Sequence, residues 1–442
     1  MRQAKTLLAA VAVLPLLFAA RMARADDAPI VAAGPEASPT MEAPAPAYDW
    51  ALLHAGVRPR LATFVGAGTF ALAQGRVHHF YGVASFATVR QDAGVFVGAT
   101  ELALGQANAE KFYGVAQLGF SKNLAGTFAG VTQLSLAHND AESFGGVLQL
   151  APYDRAGDFY GIAQIGGYDR TERDFVGALQ LGVVHDEADR FRGLVQVSLA
   201  HAATRDFGGA LQLAPYAHTN DFAGLVQVGV LSRDDQAFAG GLQLGLVNAV
   251  GSGSLFSRES RDGSFGGGVQ VGALNWNDGT FAGVLQVGVL NAVSKGFTGL
   301  AQVGLVSGTE REMWAPVQVG GFLAFAEEFH GVAQIGTVTV SDHVRGAQLG
   351  AVNVSSEDHY GLQLGAVDYS ADIRGAQIGL VNVADKVRGV QIGLFNNANS
   401  LRGLQIGVVN HAEDGSLVPW STIINMGFGS DGREAPLAAS ND

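Results

Sequence analysis

From about residue 61 the chain alternates between two kinds of segment. Roughly ten residues dominated by Val, Ile, Leu and Phe are followed by four to six carrying Asp, Asn, Glu, Lys, Arg, Gly and His, as in the run from His185 to Arg190. The apolar segments lack a 3.6-residue period and their composition is strand-forming. Each unit also carries two glycines, and in a helix each would cost about 1 kcal/mol. The pattern predicts an all-β protein in which every unit is a strand followed by a turn.

The segments are copies of one another. Phe-x-Gly-x-x-Gln-x-Gly recurs, as in Phe112-Tyr-Gly-Val-Ala-Gln117-Leu-Gly119 and Phe281-Ala-Gly-Val-Leu-Gln286-Val-Gly288. Its glutamines include Gln117, Gln133, Gln149, Gln180 and Gln196, then Gln286, at steps of 15 or 16. Toward the C-terminus the unit tightens to x-Gly-x-Gln-x-Gly-x-x-Asn, keyed on Gln377, Gln391 and Gln405 at 14-residue steps and including Gly393. Stepping back from Gln117 reaches Glu101, Ser85 and Thr69 in the same frame, giving 22 units in all. One step, from Gln243 to Gln270, is 27 residues long and holds an insertion near 250–262, expected to leave one turn.

Two architectures fit such a repeat. In a tandem-repeat β-solenoid of about 22 short coils, equivalent residues stack and Gln side chains bond in a ladder along the axis. With strands ~4.8 Å apart, such a stack extends on the order of 100 Å. The alternative is an outer-membrane antiparallel β-barrel of about 22 strands, each long enough to cross at a tilt of ~45°. The solenoid is favoured. Barrels pair short turns with long loops, whereas these turns are uniformly short. No strand face is charged as a wide lumen would require, and the chain runs 14 residues past Phe428 without a closing aromatic.

The 442 residues carry a net charge of −13, with 61 glycines and no cysteine. The charge argues against nucleic acid as a partner, since phosphate binding needs clustered Lys and Arg. Without cysteine there is no disulfide, no thiolate metal site and no lipid-bearing N-terminal Cys. Residues 1–25 read as a signal peptide: Arg2 and Lys5, an apolar stretch from Thr6 to Ala20, then Ala23-Arg24-Ala25 as a cleavage site. Residues 26–60, rich in Ala and Pro, read as a flexible spacer. The array is assigned to 61–411, and 412–442 to a terminal strand or cap with a polar tail. The expected location is outside the cytoplasm: cell surface, outer membrane or periplasm.

The C-terminal units Arg388-Gly-Val-Gln-Ile-Gly-Leu-Phe-Asn396 and Arg402-Gly-Leu-Gln-Ile-Gly-Val-Val-Asn410 resemble bacterial surface-repeat proteins with tandem Gly-x-Gln-x-Gly-x-x-Asn motifs. The likeness extends over about residues 344–428, including the ending from Ala412 to Trp420 and on to Phe428. Upstream, an extra residue separates Gly from Gln. The resemblance implies an exported envelope or surface protein and carries no catalytic residue across.

Candidate chemistry is sparse. His185 and His201 lie 16 apart and would stack, with His218 near the same line; solvated turn histidines explain them better than a metal site. Asp158, Asp174, Asp206 and Asp221 each precede the unit's Phe and could form an acidic stripe for calcium. Turn chemistry accounts for them more simply. There is no Gly-x-Ser-x-Gly elbow, no His-Glu-x-x-His and no phosphate loop in a strand–loop–helix context. The reading is a non-enzymatic structural scaffold or interaction surface with no cofactor and an unidentified protein or envelope partner; the alternative is a barrel pore or anchor. For the repeat positions the expectation is that Gln286→Leu alone costs little. Gly288→Val is expected to cost several kcal/mol by overpacking.

Overall fold

The computed structural model describes residues 48–251 and 263–428. They fall into two compact units, residues 48–161 and residues 162–251 with 263–428. The residues read as a signal peptide, most of those read as a spacer, most of the insertion and the tail after 428 lie outside the described residues.

Each unit is a parallel β-solenoid. Ala116–Gly119 lies between Thr100–Ala103 and Thr132–Ser135, parallel to both, with Gln117 level with Glu101 on one side and Gln133 on the other. Each stretch pairs in parallel with the equivalent stretch one coil later. That pattern excludes the barrel, whose neighbours are antiparallel. Described strands begin at Tyr48–Trp50 and Leu53–Gly56, which pair with Arg60–Val65 and Gly68–Ala71. The stack therefore starts inside the stretch assigned to the spacer. These residues lack the Phe-x-Gly frame, but their backbone offers the edge that the next coil needs.

A coil of the first unit shows how the sequence makes the fold. In Ala116–Gly119 the burial alternates, with Gln117 and Gly119 inside, Ala116 and Leu118 half-buried, and Phe120 exposed at the corner. Lys122–Ala129 follows and turns at Gly126, which the register with the neighbouring coils skips. Phe128 then points inward and closes the coil. Phe64, Phe80, Phe96, Phe112, Phe128 and Phe144 form one column with ring centroids 4.7–5.3 Å apart. The second unit repeats it, with Phe191, Phe207, Phe222, Phe238 and Phe265 at 4.8–5.0 Å. Because Phe265 stacks on Phe238 and Gln270 on Gln243, the register resumes unbroken after the insertion.

The C-terminal coils lose one or two residues, one of them between the Gly and the Gln of the motif. Gly346, Gly361, Gly375, Gly389 and Gly403 all have φ between +142° and +153°. They are aligned in register, at least as far as Gly389. An L side chain rarely adopts this conformation, so the tightened motif puts glycine two residues before Gln. The last coil is then covered by Trp420–Phe428, the one antiparallel partner among the described strands, which pairs Arg402 with Phe428 and His411 with Trp420. A reversed strand ends a ladder that would otherwise present a free edge.

Two glycines test this corner. Gly375→Ala places a Cβ against the Gly361 carbonyl in a left-handed conformation and should cost about 2 kcal/mol or more. In Gly296→Ala the new Cβ meets only the Glu312 carbonyl at 3.5 Å, so the change should stay within roughly 0.5 kcal/mol of wild type. Thermal melts of both variants check this, and equal melting temperatures would contradict it.

Candidate functional site

The interior is organised by two columns of buried amides. Gln117, Gln133 and Gln149 in the first unit are fully buried, as are Gln180, Gln196, Gln286, Gln377, Gln391 and Gln405 in the second. Each Nε2 donates to the side-chain oxygen of the coil before it: Gln133 to Gln117 at 2.9 Å, Gln286 to Gln270 at 2.8 Å, Gln391 to Gln377 at 2.7 Å. In several coils the second N–H reaches a backbone carbonyl, as from Gln363 to Tyr369 at 3.0 Å. The row of the first unit is closed at its start and that of the second at its end. Gln117 donates to Glu101 at 3.0 Å, and Gln405 accepts from Asn425 at 3.3 Å.

The second column lies five or six residues after Gln and holds Asn in many coils, with Asp, Ser, Thr or Ala in the others. It runs in the opposite sense. Asn123 Nδ2 donates forward to Asn139 at 2.8 Å, Asn275 to Asn291 at 2.8 Å, and Asn396 to Asn410 at 2.7 Å. The other Asn N–H binds a backbone carbonyl of the next coil, such as Leu134 or Ile406. The repeat motif contained this Asn, but the sequence reading gave it no role; its return five or six residues after Gln was the signal.

Carboxyl groups replace amides at a few buried positions. Glu101 begins the Gln column and Asp154 ends the Asn run of its unit, and burial holds the pKa of each well above the carboxylate range. Asp234 accepts from Gln227 at 2.9 Å, from Gln243 at 2.7 Å and from Thr219, and burial pushes its pKa up to about 7. Asp186 is pushed by burial to about 8 and Asp368 to about 6. At Asp368 the Asn chain changes character. Oδ1 accepts from Asn353 at 2.6 Å, but Oδ2 and the following Asn382 Oδ1 both lack a partner. Two acceptors meet there unless the carboxyl carries a proton. One position of the Phe column is also polar: His359 sits between Val344 and Ile373, and burial depresses its pKa to about 4.

The residues weighed for chemistry are dispersed outside the stack. His185 and His201 do stack, at 4.7 Å between centroids, but within a ladder that continues into Tyr168 and Tyr216. His218 is level with Ala203, two positions away from His201, and pairs with Asp235. The acidic stripe is interrupted, since Arg190 stands level with Asp206 and is paired with Asp174. Asp206 and Asp221 remain adjacent beside a shallow depression; burial, then repulsion from Asp206, raises the Asp221 pKa. Among the described residues no three His, Asp or Glu side chains converge as a metal site needs. Gly288 and Gly393 lie two residues after their Gln, against the Asn column.

No family model matches the chain, nor does any curated protein or solved structure.

The ladder changes the expectation for Gln286. Gln286→Leu leaves a Gln302 N–H without its acceptor inside the stack, so it should cost about 1–3 kcal/mol rather than little. Gly288→Val drives a side chain into the Gly272 carbonyl at 2.6 Å and the Asn275 and Asn291 amides at 2.7 Å, and should cost more, about 3 kcal/mol. Denaturant unfolding ranks the two; a neutral Gln286→Leu would contradict the ladder.

Asp368 makes a pH prediction. A carboxyl whose native pKa exceeds its unfolded value of ~3.9 binds the proton more tightly when folded, so stability falls as pH rises between those values. His359, depressed to about 4, acts oppositely, but only below its ordinary value of 6.5. Above that, Asp186 and Asp234 still titrate, so the melting temperature should fall from pH 6.5 to 8.5. Asp368→Asn restores a donor to Asn382 and should add about 1–3 kcal/mol at pH 8 and little at pH 4. A variant less stable than wild type at pH 8 would overturn the assignment.

Proposed function

We propose that this chain is an exported, non-catalytic repeat protein of the bacterial envelope, acting as a scaffold or an interaction surface. The observation carrying this reading is the division of labour within each coil. Inward positions repeat Phe, Gln and Asn so that the stack fills itself, and outward side chains are not needed to hold it together. Stability in such an array sums over neighbouring coils, which suits a surface built for extent. The signal-peptide pattern of residues 1–25 and the resemblance of 344–428 to bacterial surface-repeat proteins support an envelope location. The scattering of His and Asp over separate columns supports a role in contact rather than turnover.

Deletion of whole coils tests it. Removing residues 118–133 joins Gln117 to Leu134 and brings Gln149 onto Gln117 with Phe144 onto Phe112. The same cut can be made at 287–302 and 378–391. Each deletion should keep the β spectrum, lower the melting temperature by a few degrees, and reduce envelope association only gradually. A single deletion that abolished association or an activity, while the others left it intact, would point to a local site and against a scaffold.

A further inference from the structure

We propose that the glutamine-bearing strand face of the solenoid docks on a lipid bilayer surface. This rests on the scaffold reading and names the partner of that scaffold. Four positions of each coil surround the buried Gln on the outside: two and one before it, one and three after it. In the coils keyed from Thr69 to Gln405, none of these positions holds Asp, Glu, Lys, Arg or His. Ionised side chains are confined to the other segments of the coil.

The face is also well exposed. In the first unit Val83, Leu104, Val115 and Phe120 are 50–62% exposed. In the second, Leu194, Leu199, Leu225 and Val230 are 57–67% exposed. Soluble proteins rarely leave a contiguous apolar surface of this extent uncovered. Its backbone is ready for a medium without hydrogen-bond partners, because neighbouring coils satisfy it. Val115 N–H donates to the Ala99 carbonyl at 2.8 Å and Val131 N–H to the Val115 carbonyl at 2.9 Å. Internal satisfaction of this kind is what lipid contact demands.

Two features favour a bilayer over a second copy of the chain. Specific protein interfaces carry about one hydrogen bond per 100–200 Å². Here the side-chain polar groups at the four positions are the hydroxyls of Thr88, Thr100, Thr132 and Thr337, so the second unit contributes one. A partner copy could slip by one coil and meet nearly the same surface, with no side chain to fix register. A bilayer requires no register. One edge of the face carries amphipathic rings at some coils, Tyr81 and Tyr113 in the first unit and Trp314 and Tyr360 in the second, each 38–51% exposed, and in the second unit Arg345, Arg374 and Arg388 share that row. Arg374 lies over the Tyr360 ring at 4.9 Å. Tyr and Trp at the margin of an apolar surface suit the level of lipid headgroups. An amphipathic surface of this kind binds by apolar burial, with charge secondary.

Flotation of the full mature chain with phosphatidylcholine vesicles, and with vesicles containing added phosphatidylglycerol, tests the proposal. The protein should float with both, at low and high salt alike. The variant Leu194→Lys, Leu199→Lys, Leu225→Lys, Val230→Lys should lose roughly tenfold or more of the bound fraction while keeping its β spectrum. The pair Asp189→Ala, Arg205→Ala, which removes an ion pair elsewhere on the coil, should bind as wild type. If the quadruple variant fails to fold, the single change Leu225→Lys is read instead, with a several-fold loss expected. Flotation of the folded variant at the wild-type level would overturn the assignment of this face. Failure of the wild type to float would overturn lipid docking, and a dimer that the variant splits would make a second copy the occupant. Either failure leaves the scaffold reading standing, since the coil deletions test that separately.

Discussion

A coil stacked on its own copy places the same inward side chain against itself at every step of ~4.8 Å. A buried polar group there cannot reach water, so its partner must come from the coil above or below. Glutamine and asparagine meet this condition because each amide carries both a donor and an acceptor. The Gln column donates backward and the Asn column forward. The two rows of side-chain dipoles are therefore opposed, which limits the net field along the stack. An all-apolar interior would hold the coils together but would tolerate slippage; paired amides penalise any coil that is out of step.

The same condition explains where acids are admitted. Glu101, Asp154 and Asp234 all receive amide protons from neighbouring coils. None has a buried cation beside it, and burial raises the pKa of each. Glu101 and Asp154 are ladder members in a second chemical form, Asp234 stands beside the Gln ladder, and all three tie the stability of the interior to external pH. His359 is the converse case, a ring that fills a place in the apolar column and does so uncharged.

The repeat period, the all-β class and the stacking of Phe and Gln were legible in the chain because each depends on one residue type returning at a fixed step. Parallel pairing was harder, since a strand-and-turn unit of this length also suits a barrel; short turns and uncharged faces were the discriminating features. Other features were hidden for identifiable reasons. The Asn column shifts between five and six residues after Gln, which blurs it by eye. A buried Asp such as Asp368 is indistinguishable in sequence from a turn Asp until its register with Asn353 and Asn382 is known. The strands at Tyr48–Trp50 and Leu53–Gly56 lack the motif altogether and pair through their backbone with the next coil. The apolar face was visible only as weak polarity; the fold turned it into one side of each unit.

Hydrogen exchange of the glutamine side-chain amides, followed by NMR on selectively labelled protein, examines the ladder most directly. The account predicts that the Nε2 protons of Gln286, Gln302 and Gln377 are protected to the same degree as the backbone amides beside them. Exchange at the rate of free glutamine, in a chain whose backbone remains protected, would show that these amides do not bind one another and would contradict it.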